Sequence, residues 1–327
     1  MNTKLEQLKV LIIGSLNIDF VGLNIPKFLN PGELSYGGEL FIGPGGKSRN
    51  IAQMVSFLIG KNKVAILGLL SDDPLGLWKI PLKALKDAGV ITDYIKILKF
   101  KKVNKFPGSA LIIVDKNGKN QIYVLPGVNE LFDEKYIEEM EFLFKKISQN
   151  RGLLILTFEA PLNVIKLSIE KGIKYGIRIF IDPGGIEKGR GFEDIIKKGI
   201  YFLKPNEFEA EILTGIQIKD FNSAKKSAKI LLKKGIENIL ITHGEKGGYY
   251  FNQKCSLHID IPIIKNIGSI KDATGCGDQV SATICAKLLE GKNEIESCKY
   301  GILAGTLQFY KKGIKPVSNY ELNKYII

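Results

Sequence analysis

The sequence predicts an α/β fold, a three-layer sandwich in which a mostly parallel central sheet is covered by helices on both faces, with a small β-lid added. Two observations predict it. Short apolar runs alternate with helix-length segments over most of the 327 residues, the pattern of parallel strands joined by helical crossovers. Two stretches break that alternation and carry strand and turn signals of their own.

The first apolar run, Lys9–Ser15, reads as a buried strand. Ser48–Ile59 follows with Ile51, Val55 and Leu58 at helical spacing. Lys63–Leu70 is the next strand, and a helix is predicted from about Pro74 to Ala88. Gly152–Phe158, Arg178–Asp182, Tyr201–Lys204 and Ile239–Thr242 are further short apolar runs, each followed by a helix-length segment. Residues 19–42 instead hold strand-like pieces broken by Pro26, Pro31 and paired glycines. Ser109–Val114 and Gln121–Leu125 flank Asn117-Gly118, a hairpin signal. These stretches do not extend a parallel sheet, and they predict a lid made from about residues 17–43 and 106–126. With no interdomain linker, low-complexity tract or repeat, residues 1–327 read as a single domain.

Composition narrows the classes. A hydrophobic content of 45% supplies a packed core and excludes disorder as the dominant state. The net charge of +13, with a pI near 9.3, raises the question of nucleic acid. Only Arg49, Arg151, Arg178 and Arg190 are arginines, and the lysines are scattered as short pairs such as Lys101-Lys102 and Lys233-Lys234. No basic run interleaved with aromatics occurs, so the charge reads as a solvated lysine surface and no nucleic-acid partner is expected. Cys255, Cys276, Cys285 and Cys298 lack CxxC spacing, and two histidines complete no zinc pattern. No apolar run approaches ~18 residues, so no membrane span is expected. Val10–Leu16 is too short for a signal peptide and runs into Asn17 and Asp19. A cytoplasmic protein with reduced thiols is the expectation.

Four motifs offer chemistry. Gly43-Pro44-Gly45-Gly46-Lys47-Ser48-Arg49-Asn50 contains Gly-Lys-Ser, but a Walker A loop needs a glycine where this chain has Phe41. The glycine pair still lets a ligand approach the backbone, and Lys47 and Asn50 share a face of a first helical turn. Such a pair suits a polyol, or it is an ordinary glycine turn. Asp272-Ala273-Thr274-Gly275-Cys276-Gly277-Asp278 precedes a helical run. Its glycines and helix start form a nest for phosphate oxygens, with Asp278 at the mouth. A carboxylate there suits phosphoryl transfer to an alcohol as proton acceptor, unless Asp278 or Asp272 is only a helix cap. Asn206 and Glu209 have a spacing that suits metal-bound water near a phosphate, and equally a capping box. Thr242-His243-Gly244-Glu245-Lys246-Gly247 is a strand end followed by a glycine turn, where open α/β sheets bind ligands.

In this order the motifs resemble the ribokinase-like (pfkB-type) carbohydrate kinase family over essentially the whole chain. Gly14-Ser15-Leu16-Asn17-Ile18-Asp19 is similar to its opening strand and sugar-binding turn, Gly45-Gly46-Lys47 with Asn50 to its first signature, and Asp272–Asp278 to its second. The resemblance implies ATP-dependent phosphorylation of a sugar with Mg²⁺. It implies Asp278 as base, with residues 273–277, among them Gly275, Cys276 and Gly277, forming the anion hole. Asn17, Asp19, Gly45, Gly46, Lys47, Asn50 and Asp278 itself would hold the sugar. Thr242, Gly244, Gly247 and Gly277 would face the nucleotide, and Asn206 and Glu209 would reach Mg²⁺ through water. Pro126–Leu131 and Leu156–Leu162 are similar to ribokinase segments, the second carrying Glu159 as a sugar ligand, and favour ribose. The resemblance also implies K⁺ beside the anion hole, near Asp272 and Lys312-Gly313, and a homodimer paired through the lid. Ser48, Arg49 and the long stretch Pro26–Gly43 depart from ribokinases and are more similar to pseudouridine kinases. Ile302 stands where ribokinases often place an asparagine. A nucleoside kinase or another sugar kinase is therefore the alternative. A nicotinamide dehydrogenase would need G-x-G-x-x-G after the first strand, where this chain has Asn17 and Asp19. A noncatalytic sugar-binding protein would lack the base or the anion-hole glycines, and Asp278, Gly275 and Gly277 are present.

Overall fold

A computed structural model describes residues 3–116, 119–264 and 271–325. Its strands are β1 (Val10–Ile13), β2 (Asn17–Ile25), β3 (Glu39–Gly45), β4 (Val64–Ser71), β5 (Ile95–Leu98), β6 (Gly108–Asp115) and β7 (Asn120–Leu125). They continue with β8 (Leu153–Thr157), β9 (Arg178–Asp182), β10 (Phe202–Leu203), β11 (Asn238–Thr242), β12 (Gly248–Asn252) and β13 (Ser256–Ile259). Nine strands form one sheet in the order β13-β12-β11-β10-β9-β8-β1-β4-β5. It is parallel from β11 through β5. β12 and β13 add an antiparallel edge.

The apolar runs dictate this arrangement. A strand with no polar alternate is buried on both faces, and successive side chains point to opposite faces. Leu11 and Ile13 of β1 enter one core with Leu154, Leu156, Val164 and Ile169, under the Leu162–Lys174 helix. Val10 and Ile12 enter the other with Ile51, Val55, Val280 and Ile284, from the Lys47–Ile59 and Cys276–Leu289 helices. Phe180 and Phe202, paired across β9 and β10, stack at 5.2 Å.

The remaining four strands form the lid sheet β3-β2-β6-β7. β2 pairs antiparallel with β3 and parallel with β6, and β6 and β7 form the expected hairpin. Its turn, Asn117-Gly118, lies outside the described residues. The helix expected from Pro74 begins instead at Lys79. Asp73 accounts for the delay: its carboxylate accepts from the backbone N–H of Leu75, Leu77 and Trp78 and holds those residues in a turn. Among the described residues no helix is long and apolar enough to cross a membrane.

Parallel strands end on one edge, where open α/β sheets bind ligands. Ser15, Glu159, Asp182, Lys204 and Thr242 all lie at or just beyond those strand ends.

Candidate active site

Two helix starts meet at that edge. Gly46, at φ 90°, precedes the Lys47–Ile59 helix, and Gly275, at φ 73°, precedes the Cys276–Leu289 helix. Both glycines occupy the left-handed region that a side chain disfavours. Asp278, in the first turn of the second helix, is 5% exposed. Its Oδ2 accepts from Asn50 Nδ2 at 2.7 Å, and its Oδ1 lies 3.4 Å from Lys47 Nζ. The positive end of the helix dipole adds to this support. Asp278 in turn holds the Lys47 ammonium protonated, well above its ordinary range, against the effect of burial. Asp182, Glu209 and Glu159 act in the same direction.

On the side toward the lid, Glu159 follows β8. Its Oε2 accepts from the Lys47 backbone N–H at 2.7 Å and from the Ser15 hydroxyl. Burial pushes its carboxyl up to about 7, although Ser15 and Lys47 oppose the shift. Burial likewise raises Asp19 to about 6, with Arg49 opposing and Asp278 adding. A Cβ on Gly45 would lie 1.8 Å from Asp19 Oδ1, so only glycine lets that carboxylate lie over the loop. Asn17 sits beside it, buried, with its Oδ1 accepting from Asn129 Nδ2 at 2.8 Å.

Arg49 lies beneath this loop and is fully buried. Its Nη2 donates to the Pro44 carbonyl at 2.7 Å and to Asn50 Oδ1, and its Nη1 donates to Gln53 Oε1. Burial lowers its pKa to about 10, and Asp19 and Asp278 resist the change, so it stays a cation near neutrality. A guanidinium has donors only. Asn50 must therefore turn its oxygen toward Arg49, which leaves its Nδ2 for Asp278.

The Asp278 loop is already partly committed. Thr274 N–H goes to Asp272 Oδ1 and Cys276 N–H to the Ala273 carbonyl. Gly277 and Asp278 keep N–H groups that have no acceptor among the described residues, as the start of a helix does. The Cys276 thiol, pushed up to about 12 by burial and then by Asp272 and Asp278, stays neutral.

Two residues here were not singled out from sequence. Lys204 Nζ lies 3.0 Å from Asp182 Oδ2 and donates to the Gly277 carbonyl at 3.3 Å. Asp182 also accepts from Ser281 Oγ at 2.6 Å. Burial pushes Asp182 up, but Lys204, Lys47 and the Ser281 bond outweigh it and hold the carboxyl at about 2. The available signal was a carboxylate and an ammonium at the ends of adjacent buried strands. Sequence spacing alone does not show that β9 and β10 adjoin the Asp278 helix.

On the other side of Lys204, Asn206 and Glu209 form a capping box, with Glu209 N–H on Asn206 Oδ1 and Asn206 N–H on Glu209 Oε2. Burial raises Glu209, Asp182 adds to the shift, and Lys47 and Lys204 oppose it. Asn206 bridges to Thr242, whose N–H donates to the Pro205 carbonyl. Gly244 and Gly247, at φ 47° and 77°, close the turn beyond. No hydrogen bond among the described residues joins Thr242, Gly244 or Gly247 directly to Asp278; Lys204, next to Pro205, bonds to the Gly277 carbonyl.

The residues fit one expected ion and not the other. Glu209 keeps Oε1 outside the capping box, and no group of three or more His, Cys, Asp or Glu that could hold a metal ion occurs among the described residues. That suits Mg²⁺ carried on phosphates and reached through water. The expectation that Asp272 and the Gly313 backbone hold K⁺ does not fit. Asp272 Oδ1 and Oδ2 accept from the N–H groups of Thr274 and Gly313, both at 2.8 Å. The nearby carbonyls of Thr274 and Gly313 accept from Gln308 Nε2.

The pattern of pfkB family carbohydrate kinases matches residues 7–318. The chain is 30% identical to ribokinase of Haemophilus influenzae over 302 residues, 92% of each chain. It is 26% identical to deoxyribokinase of Salmonella typhi over 323 residues, 97% of this chain and 98% of that one. The structure of Arabidopsis thaliana ribokinase complexed with ribose and ATP superposes with a TM-score of 0.83 at 23% identity, covering 97% of this chain and 98% of that chain.

Two predictions follow from this geometry. Between pH 4.5 and about 7 the folded chain keeps a proton on Glu159 that the unfolded chain has lost, so stability falls as pH rises through that window. Relative to Glu159→Gln, which cannot titrate there, the ligand-free parent loses on the order of 3 kcal/mol. Urea melts at pH 5 and pH 8 measure the difference, and parallel pH profiles would refute the assignment. Arg49→Lys keeps the charge but loses the fork, and stability should fall by about 1–3 kcal/mol because buried acceptors are left unpaired. A lysine variant as stable as the parent would show that the fork is dispensable.

Proposed function

Because this chain belongs to the pfkB family of carbohydrate kinases, we propose that it transfers the γ-phosphoryl group of ATP to ribose, giving ribose 5-phosphate and ADP. One observation carries the reading: a buried carboxylate, Asp278, sits at a helix start between the donors Asn50 and Lys47. In this reading Asp278 takes the proton of the sugar hydroxyl as its oxygen bonds to the phosphorus and the bond to ADP breaks. The free N–H groups of Gly277 and Asp278 face the charge on the transferring group, and Lys47 adds a fixed cation. Asn206 and Glu209 would hold Mg²⁺ through water, and the ion would supply neutralisation of phosphate charge when bound. Thr242, Gly244 and Gly247 take the nucleotide side.

The sugar side supports a small polyol. Asp19, Asn17, Lys47, Asn50 and Glu159 offer a carboxylate-rich set of acceptors and donors around glycines that leave room for a ring. Arg49, the departure from ribokinases that pointed toward a nucleoside, is buried beneath the loop and bonded to protein groups. It supplies no contact for a base. A pseudouridine-type nucleoside remains the second reading, carried by the long segment between β2 and β3.

The lid supports a second copy of the chain as partner. β7 is an edge strand exposed along its whole length, and Leu40, Phe41, Ile122, Tyr123 and Val124 are apolar and exposed. Exposed apolar side chains on an edge strand, here Ile122, Tyr123 and Val124 of β7, mark an interaction site. The four cysteines are free thiols, consistent with a reducing cytoplasm.

An ATP-consumption screen over ribose, 2-deoxyribose, fructose, pseudouridine and adenosine should give its highest kcat/KM with ribose, and a nucleoside winner would overturn that choice. Asp278→Asn should lower kcat by about 10²–10⁴-fold while sugar binding, read by calorimetry, stays within a few-fold. Near-parental turnover would remove Asp278 from the chemistry. Sedimentation should show a dimer that Tyr123→Lys with Val124→Lys converts to monomer, and a monomeric parent would sink the lid-pairing assignment.

A further inference from the structure

The loop that leads into Asp278 is held from behind by one side chain. Gln308, on the Glu294–Phe309 helix, is fully buried. Its Nε2 donates to the Gly313 carbonyl at 2.7 Å and to the Thr274 carbonyl at 3.4 Å. Its Oε1 has no hydrogen-bond partner among the described residues. We propose that the Gln308 amide group takes the place of a monovalent cation here, so that the anion-hole loop is organised without K⁺. This rests on the reading of residues 273–277 as the anion hole.

Converging carbonyl oxygens repel one another and need a positive partner between them. An alkali cation supplies it by gathering oxygens from all sides. An amide –NH₂ supplies it with two N–H donors in one plane, and the Gln308 –NH₂ spends them on the two carbonyls that border the loop. The negative charge of Asp272 is already met on both oxygens by the backbone N–H groups of Thr274 and Gly313. Asp272 N–H in turn donates to the Phe309 carbonyl at 2.8 Å, next to Gln308. The loop, the tail turn at Gly313 and the end of the Glu294–Phe309 helix are thereby closed on one another by protein groups alone.

The orientation of the amide is physically determined. Turned round, it would set Oε1 against two carbonyl oxygens, an arrangement that only a bound cation would stabilise. The unpartnered Oε1 is the cost of the orientation found. The two orientations therefore predict opposite responses to K⁺.

The test measures the full-length protein in KCl, NaCl and choline chloride at equal ionic strength. Turnover is followed with the best acceptor from the screen, and melting temperature is followed without sugar or ATP. The parent should turn over within about twofold in all three salts and melt at the same temperature, because no hydrogen bond changes. Gln308→Ala should lose at least about tenfold in turnover in choline chloride, the equivalent of a lost hydrogen bond or two. KCl should restore it and raise its melting temperature, as the vacated position admits an ion. Activation or stabilisation of the parent by K⁺ would overturn the proposal in favour of the turned amide. So would a Gln308→Ala variant fully active without K⁺. If Gln308→Ala does not fold, Gln308→Met keeps the volume without the donors and serves the same test. If no acceptor is phosphorylated, the kinase reading fails, while the melting temperatures in the three salts still decide whether the parent binds K⁺.

Discussion

The 2.7 Å hydrogen bond from Asn50 to Asp278 joins residues 228 positions apart and fixes the geometry on which the site depends. A buried carboxylate needs donors, or it gives up its charge. Here the donors come from the start of a neighbouring helix, so the place of Asp278 is set by how two helices pack. Ile51, Met54 and Val55 of one and Val280 and Ile284 of the other enter the same core under the sheet. The same packing brings Gln308 behind the loop. A Cβ on Gly305 would lie 2.6 Å from Val280 Cγ2, and one on Gly301 would lie 2.7 Å from Ile284 Cγ1. These glycines let the Glu294–Phe309 helix lie close against the helix that bears Asp278.

Electrostatics at the sheet edge differs from that of the surface. The chain as a whole carries +13, yet the site combines the cations Lys47, Arg49 and Lys204 with Asp19, Glu159, Asp182, Glu209 and Asp278. Burial keeps this acidic excess in check by raising Glu159 to about 7 and Asp19 to about 6. Asp182, held down to about 2 by Lys204 and Lys47 against its burial, remains the fixed anion of the group. Hydroxyl donors from a bound polyol would favour the charged forms of Asp19 and Glu159. On the proposed sugar site, binding of the sugar and ionisation of these two groups are therefore linked.

Local features of the fold were legible in the sequence. The apolar runs located β1, β4, β8, β9 and β11, and the Asn117-Gly118 signal located the β6–β7 pairing. The glycine-flanked motifs located Lys47, Asn50 and Asp278. Legibility stopped where a residue's role depends on a distant partner. Arg49 reads as a departure from a pattern until its guanidinium is seen to orient Asn50. Asp182 and Lys204 are plain strand ends until β9 and β10 are set beside Gly277. Gln308 is one residue on a largely buried helix until its amide reaches Thr274 and Gly313. Asn206 and Glu209 admitted two readings from spacing, and the capping box is real without excluding the other, because Glu209 Oε1 stays outside it. Strands β12 and β13 went unread because antiparallel edge strands do not follow the alternation of strand and crossover helix.

The groups proposed to face the sugar are divided between two sheets. Asn17 pairs with Gly45 and Gly108 in the lid sheet, and Asp19 pairs with Gly43 and Ala110. Lys47, Asn50, Glu159 and Asp278 stand instead on helices and strand ends of the central sheet. Any displacement of the lid therefore carries Asp19 and the Gly45 backbone together, since the β2–β3 register binds them. The central-sheet groups keep their mutual distances through the Lys47–Glu159 and Asn50–Asp278 bonds. A ligand that bridges the two sets stabilises one lid position over the others by its differential contacts. Arg49 ties the sets at their joint: it donates to the Pro44 carbonyl on the lid strand and to Asn50 on the helix. Arg49, one of the departures from the ribokinase pattern, is thus bonded both to the lid strand and to the partner of Asp278.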